Sequence, residues 1–493
     1  MTKLDRCENA RWKKACFLVF FTMIAIASPS QTVTTFASFD KTDGRDPGYP
    51  AAPFVQGTNG NLYGTTAAGG ANDEGTVFEI SPAGKIVTLY SFCSQSDCTD
   101  GAGVNAGLVQ GTDGNFYGTT PLGGTNNGGT IFQITPAGKL TTLYRFCSSG
   151  CLDGANPAAG LLQTADGDFY GTTYAGGAFG AGTVFNMTKA GALTTLASFD
   201  GANGQGPDFG SLIRATDGNF YGTTITGGAN ASSCGSNTGC GTVFRMTPGG
   251  QLTSLYSFCA QPNCTDGFEL FGGLVQGTNG NFYGTTAVGG TNGVGTVFEI
   301  TPAGKLTTLH SFDSTDGSFP EAAPVQGTDG NFYGTTSNGG ANGFSGTLFQ
   351  ITPTETLTTL YSFCSKTKCA DGTGPFESLM QATNGDFYGA TFAGGRRSNC
   401  IDGCGTAFRL SMGLGPFIET RPSAGRAGFR VIILGNNLSA TTAVNFNGTP
   451  AAFTLFSDTE IEATVPAAAT TGFVTATTSG GILTSNQKFH VIE

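Results

Sequence analysis

Along most of the chain, apolar residues come in runs too short for helices, and each run is bounded by glycine or by an Asx-Gly pair. The stretch from Ala106 to Phe146 shows the unit: AGLVQ, the turn GTDG, NFYGTT, the loop PLGGTNNGG, TIFQIT, the turn PAG and KLTTLYRF. This pattern predicts four β-strands joined by tight turns. Apolar residues stand on both sides of the last strand, at Leu140, Leu143, Tyr144 and Phe146, so both faces of the sheet should be covered.

The unit recurs. DGNFYGTT stands at Asp113 to Thr120, at Asp217 to Thr224 and at Asp329 to Thr336, and looser copies begin at Asn61, Asp168, Asn281 and Asp386. The tyrosines of the seven copies are Tyr63, Tyr117, Tyr170, Tyr221, Tyr283, Tyr333 and Tyr388, a spacing of 50 to 62 residues. Asx-Gly pairs precede them all (Asn59, Asp113, Asp166, Asp217, Asn279, Asp329 and Asn384, each followed by glycine). Glycine tolerates the positive φ of a tight hairpin at no steric cost, so these Asp and Asn side chains read as turn chemistry.

Four antiparallel strands in each of seven copies fit a β-propeller, one blade per copy, with a solenoid as the rival. Closure separates the two. The last copy runs GTAFRLSMG from Gly405 and lacks the TTLYSF strand, whereas TVTTFASFD, Thr32 to Asp40, precedes the first copy and resembles TTLASFD at Thr194 to Asp200. An N-terminal strand that supplies the outer position of the last blade closes a ring, while a solenoid would need caps. The expected fold is all-β: a seven-bladed propeller whose closing blade is completed by an N-terminal strand, followed by an immunoglobulin-like β-sandwich.

Before the array come a basic start (Lys3, Arg6, Arg11, Lys13, Lys14), the apolar run ACFLVFFTMIAIA and the exit Ala25-Ile26-Ala27. This reads as a secretory signal peptide over residues 1–27, with an apolar run too short to span a bilayer. The domains expected are then the signal peptide 1–27, the propeller 28–412 and the sandwich 416–493. The mature chain should be secreted, periplasmic or displayed at the cell surface, without membrane insertion, and a monomer. Its end, FHVIE, carries no apolar tail for a sorting anchor. The formal charge of the whole chain is −11, and loss of residues 1–27 makes it more negative, which excludes nucleic acid as a partner.

Twelve cysteines remain after Cys7 and Cys16 are set aside, and they fall into six close pairs. The pairs are Cys93 with Cys98, Cys147 with Cys151, Cys234 with Cys240, Cys259 with Cys264, Cys364 with Cys369 and Cys400 with Cys404. In an exported chain they read as six local disulfides. A zinc site would need thiolates from two blades, with only His310 and His490 to help. Four pairs follow the last strand of a blade and two lie between the second and third strands, connections that emerge on one side of the disc. That side is the elaborated face, where binding residues most often sit. Where Ser-Phe is not followed by cysteine it is followed by Asp40, Asp200 or Asp313, a second way of holding the loop.

The same face carries an Asp-Gly in every copy, at Asp43, Asp100, Asp153, Asp200, Asp266, Asp316 and Asp371. These form either a ring of carboxylates for calcium, the one cofactor considered, or seven turns in which each Asp bonds its own backbone. The absence of dense calcium-loop spacing favours turns. Arg396 and Arg397 depart from the small or polar residues of the other copies and read as a solvated loop or an anion clamp.

The array resembles the bacterial repeat family GloVer (Gloeo_Verruco), through motifs such as LVQGTDGNFYGTT and GTVFEITPAGKLTTLHSF over Phe36 to Leu410. The resemblance implies architecture and export, and no activity. From Gly415 the composition changes. Pro416, Ile418, Gly428, Val431, Gly435, Asn437, Val444, Phe446, Ile461 and Pro466 match an IPT/TIG domain, which implies a spacer or interaction module. Alternation at Val431 and Ile433, and again at Val444 and Phe446, independently reads as half-buried strands.

One active site on a pseudo-symmetric ring needs groups that differ between copies. His310, in the place of a tyrosine, reads as a strand residue, His490 lies in the last strand, and no serine nucleophile or metal-binding His pair is visible. No catalytic residue is assigned. Carboxylate pairs, Asp266 with Glu269 or Asp316 with Glu321, keep open a polysaccharide hydrolase or lyase. The reading favoured is an exported, non-catalytic binding or scaffold protein that presents the cysteine-stapled face to an extracellular glycan or protein. A structural cell-envelope role is the third reading.

Overall fold

The computed structural model describes residues 31–47, 53–207, 209–230, 233–234, 239–396, 400 and 402–492. The expected signal peptide and Arg397 lie outside them. Seven antiparallel sheets form the blades of a propeller, and two further sheets form the C-terminal sandwich. A representative blade has an inner strand Val109–Gln110, then Phe116–Thr120, Thr130–Ile134 and the outer Leu140–Arg145. The closing blade combines Met380–Gln381, Phe387–Thr391 and Thr406–Ser411 with the N-terminal strand Thr32–Ser38, which pairs antiparallel from Thr32 opposite Ser411 to Ser38 opposite Thr406. The ring therefore closes as the sequence predicts.

Why the same word builds each blade is visible atom by atom. The turn carboxylates Asp113, Asp217 and Asp329 each accept a hydrogen bond from the tyrosine of their copy at 2.8 Å. In copies with asparagine, the Nδ2 of Asn59, Asn279 and Asn384 donates to that hydroxyl instead, at 2.8 to 2.9 Å. The central glycine of FYGTT is required by packing, because a Cβ on Gly118 would lie 2.7 Å from the Phe132 ring. The last threonine meets a threonine of the third strand in each blade, as Thr120 meets Thr130 at 2.9 Å, which satisfies two buried hydroxyls.

Two aromatic ladders join the blades. In one, the phenylalanine after an outer strand meets one in the next blade, as Phe92 meets Phe132 at 5.1 Å, and it continues through Phe39 and Phe78 where the ring closes, at 4.9 Å. In the other, each tyrosine stacks on a phenylalanine of the next blade, from Tyr63 on Phe116 at 4.1 Å to Tyr333 on Phe387 at 4.3 Å. This second ladder breaks at the seam between blades 7 and 1. There the phenylalanine position holds Leu62, and Tyr388 meets Phe36 edge-on at 5.7 Å. Clefts of 360 and 280 Å³ open along the seam, the second lined by Leu62, Tyr388 and Asn436.

The sandwich has Ile418, Val431, Ile433, Val444, Phe446, Ile461, Val474 and Phe489 in its core. This domain docks against the tight-turn face of the ring, across the seam. Arg421 Nη1 donates to Gln56 O at 2.7 Å and reaches Gln110 Oε1 at 3.3 Å, in blades 1 and 2. Thr459 Oγ1 donates to Thr58 O in blade 1. In blade 7, Asn436 Nδ2 donates to Thr383 Oγ1 at 2.7 Å, and the Phe417 amide donates to Thr383 O at 3.0 Å.

Candidate functional site

The face opposite the sandwich carries six disulfides, each closing a short loop of its own. Cys93 bonds Cys98, Cys147 bonds Cys151 and Cys234 bonds Cys240. Cys259 bonds Cys264, Cys364 bonds Cys369 and Cys400 bonds Cys404. These are the local pairs that the spacing predicts, so none of the twelve thiols is left over for a zinc site between blades.

The same loops are anchored by the aspartate of each Asp-Gly. Asp100 is fully buried and accepts from the Tyr90 hydroxyl at 2.7 Å, the Ser94 amide at 2.9 Å and the Gln95 amide at 3.2 Å. Asp266 and Asp371 repeat this arrangement with Tyr256 and Tyr361, and Asp153 takes the Tyr144 hydroxyl at 3.0 Å and the Cys147 amide at 3.2 Å. Burial first, and then the Asp266 carboxylate, hold the Tyr256 phenol well above its usual range. His310 takes over the tyrosine's role, with Nε2 2.7 Å from Asp316 Oδ2.

Loops without a disulfide use a carboxylate. Asp313 Oδ1 accepts the Thr315 amide at 2.9 Å and its hydroxyl at 2.6 Å, Asp40 binds Thr42 in the same way, and Asp200 Oδ1 accepts the Asn203 amide at 2.8 Å. Apart from Asp43, the carboxylates of the Asp-Gly motif are thus taken up within their own loops and are not pooled into a calcium ring. Among the described residues no group of three or more His, Cys, Asp or Glu side chains is placed to hold a metal ion. Asp43 and Arg396 both line the larger seam cleft, where burial and the neighbouring Asp40 raise the Asp43 carboxyl.

At the axis the copies differ. Connections into the inner strands end on small residues whose backbones pack tightly: a Cβ on Gly210 would lie 2.6 Å from Gly273 Cα, and one on Gly272 would lie 2.4 Å from Ala323 N. The throat at this level admits no side chain from those positions. Just above it, blades 2 to 7 present Asn105, Ala158, Phe209, Phe271, Glu321 and Phe376. The residue that follows each YGTT is equally variable, and includes Tyr174, 46% exposed, and the half-buried Phe392. Phe209 and Phe271 lie nearly parallel at 6.5 Å, and Phe376 meets Phe392 at 5.4 Å.

Carboxyl groups join them. The expected pairs, Asp266 with Glu269 and Asp316 with Glu321, are not the ones formed, because Asp266 and Asp316 are held by Tyr256 and His310. Glu269 and Glu321 are instead neighbours from consecutive loops. Burial raises Glu321 to about 7, opposed by the Ser337 hydroxyl and assisted by the charge of Glu269, and burial raises Glu269 as well. Deeper in blade 7, Glu377 is fully buried where other copies have alanine or glycine; Oε1 accepts the Ala390 amide and Oε2 has no partner. Ala390 and Ala407 stand where blade 2 has Thr119 and Ile131, which makes the room. Aligning the copies on the small residue before each inner strand would expose these columns in the sequence.

Residues 22–234 and 231–420 match the Gloeobacter/Verrucomicrobia repeat, and residues 418–491 match the IPT/TIG domain. Comparison with curated proteins finds no match. Among solved structures, the extracellular domain of a proposed hybrid two component system from B. thetaiotaomicron shares 11% identity at a TM-score of 0.49, covering 83% of this chain and 46% of that one, so the chain spans about half its length. A proposed 6-phosphogluconolactonase from Bacteroides uniformis shares 16% at 0.40, covering 68% and 95%. The PQQ-bound aldose sugar dehydrogenase from Streptomyces coelicolor shares 14% at 0.37, covering 78% and 99%. Likenesses at this level bear on neither ligand nor reaction.

Proposed function

The chain belongs to the Gloeobacter/Verrucomicrobia repeat family, and we propose that it is an exported binding protein whose disulfide-stapled face takes an extracellular glycan. Six disulfides fit an exported binding or scaffold protein of an oxidising compartment. The observation that carries the ligand reading is the gathering of copy-specific side chains at the axial mouth of this face. Repeats that share a backbone have no packing need for such variation, since Ala158 fills in blade 3 the place that Phe271 fills in blade 5.

Glu269 and Glu321 give specific support to a second reading, a polysaccharide hydrolase or lyase. Neighbouring carboxyls, one raised to about 7, are the material of general acid and base chemistry. One experiment addresses both. The mature protein is passed over immobilised polysaccharides, and bound protein and released reducing or unsaturated ends are scored together. Retention without product is the expected result; product that disappears with Glu321→Gln would put the enzyme reading first. No retention and no product on any polymer would overturn both and favour a protein partner.

A further inference from the structure

We propose that the axial mouth is a subsite for one end or a short stretch of an uncharged saccharide, which stacks on the rings of blades 3, 4, 5 and 7. This inference rests on the reading of the stapled face as a glycan-binding surface and specifies where and what it binds.

The blade fold does not require rings at these positions. Phe209, Phe271 and Phe376 occupy a position filled by Asn105 in blade 2 and by Ala158 in blade 3, and Tyr174 and Phe392 occupy one filled by Pro121 and Ala287. All five rings are half-buried or exposed. Flat apolar rings at a wet surface suit a ligand with an apolar face and a polar rim. A pyranose is such a ligand: its C–H face lies on an aromatic ring and its hydroxyls point outward to acceptors. Glu269, two residues before Phe271, and Glu321, at the position of Phe271 in the next blade, supply acceptors.

Charge narrows the class. The chain carries a formal charge of −11, and none of the side chains named at the mouth is a cation, so nothing there offers a counter-charge to uronate or sulfate groups. Beneath the rings the inner strands of neighbouring blades pack backbone to backbone around the axis, and Ser378 Oγ donates to Ala323 O at 3.0 Å.

The test is affinity electrophoresis of the full mature chain in gels containing neutral polysaccharides (glucan, xylan, mannan) or a polyuronate. The variants are Phe271→Ala, Tyr174→Ala and the control Phe344→Ala, an 86% exposed ring on the rim of blade 6. Retention by at least one neutral polymer is expected. It should weaken about tenfold in Phe271→Ala and Tyr174→Ala, the loss typical of removing an aromatic contact, and stay unchanged in Phe344→Ala. Tyr174 is exposed enough that its variant tests the site even if Phe271→Ala folds poorly. Retention that survives both mouth variants overturns this inference and leaves the glycan-binding face standing. Retention by polyuronate in preference to neutral polymers overturns the ligand class. Failure of the wild type to bind any polymer removes the glycan reading and this inference together.

Discussion

Replacing Arg421 by alanine should open the seam of the ring from outside it. The guanidinium is mostly enclosed, with 17% of the side chain exposed, and it is oriented by Glu419 at 2.8 Å. Its 2.7 Å bond to Gln56 O is the short contact to the ring, and the 3.3 Å reach to Gln110 adds little. A hydrogen bond to a charged group contributes about 1.5–3 kcal/mol net, so the loss should be about 2 kcal/mol in favour of the undocked form. The seam is where this matters, because it lacks the Tyr–Phe stack of the other six junctions and keeps the Phe39–Phe78 contact and the bond that Gln56 Oε1 accepts from the Thr383 amide at 2.9 Å. Native-state amide exchange reads the effect site by site. Amides of Thr32–Ser38 and Thr383 should exchange about thirtyfold faster in Arg421→Ala, the factor that corresponds to about 2 kcal/mol, while Phe169–Thr173 on the far side of the ring stays unchanged. Adding Thr459→Ala should increase the effect. Unchanged exchange at Thr32–Ser38, together with a destabilised sandwich, would refute the idea that the domain clasps the ring.

Three further outcomes are expected. Leu62→Phe should restore the missing stack on Tyr388 and use the adjoining 280 Å³ cleft, raising the unfolding free energy by about 0.5–1.5 kcal/mol; a lower denaturation midpoint would show that the seam cannot accept the ring. Burial raises Glu377 well above the usual carboxylate range, so its contribution to stability is present below about pH 4.5, the ordinary range for a glutamate, and is lost as pH rises toward the folded-state value. Urea midpoints measured at acid and neutral pH should therefore fall less in Glu377→Gln than in the wild type, and identical slopes would count against the assignment. Substituting both Cys93→Ala and Cys98→Ala should cost about 2 kcal/mol by loop-closure entropy and speed proteolysis within the loop, while the far-ultraviolet circular dichroism of the ring stays as in the wild type.

The legible part of this protein is the part governed by local chemistry. Asx-Gly turns fix the hairpins, the alternation in NFYGTT fixes which residues face the neighbouring blades, and cysteines four to six residues apart, such as Cys147 and Cys151 or Cys234 and Cys240, pair within one short loop. Ring closure was legible too, because one outer strand is missing at Ser411 and a spare one stands at Thr32. The aspartates of the Asp-Gly motif illustrate the limit. Their repetition marked them as candidates, yet repetition is the signature of shared structure, and the hydroxyls of Tyr90, Tyr256 and Tyr361 consume them.

What the sequence by itself determined is the number of blades, their internal register, the closing strand, the disulfides and the presence of a second domain, since each follows from residues close together or from copies compared side by side. Tertiary structure decided where that second domain rests and which side chains share the axis. Glu269 and Glu321 are 52 positions apart in the chain, and Arg421 finds Gln56 across 365. Such meetings depend on how rigid blades are arrayed around a ring: aligned copies mark the axial positions, but nothing in the intervening sequence records which of them meet.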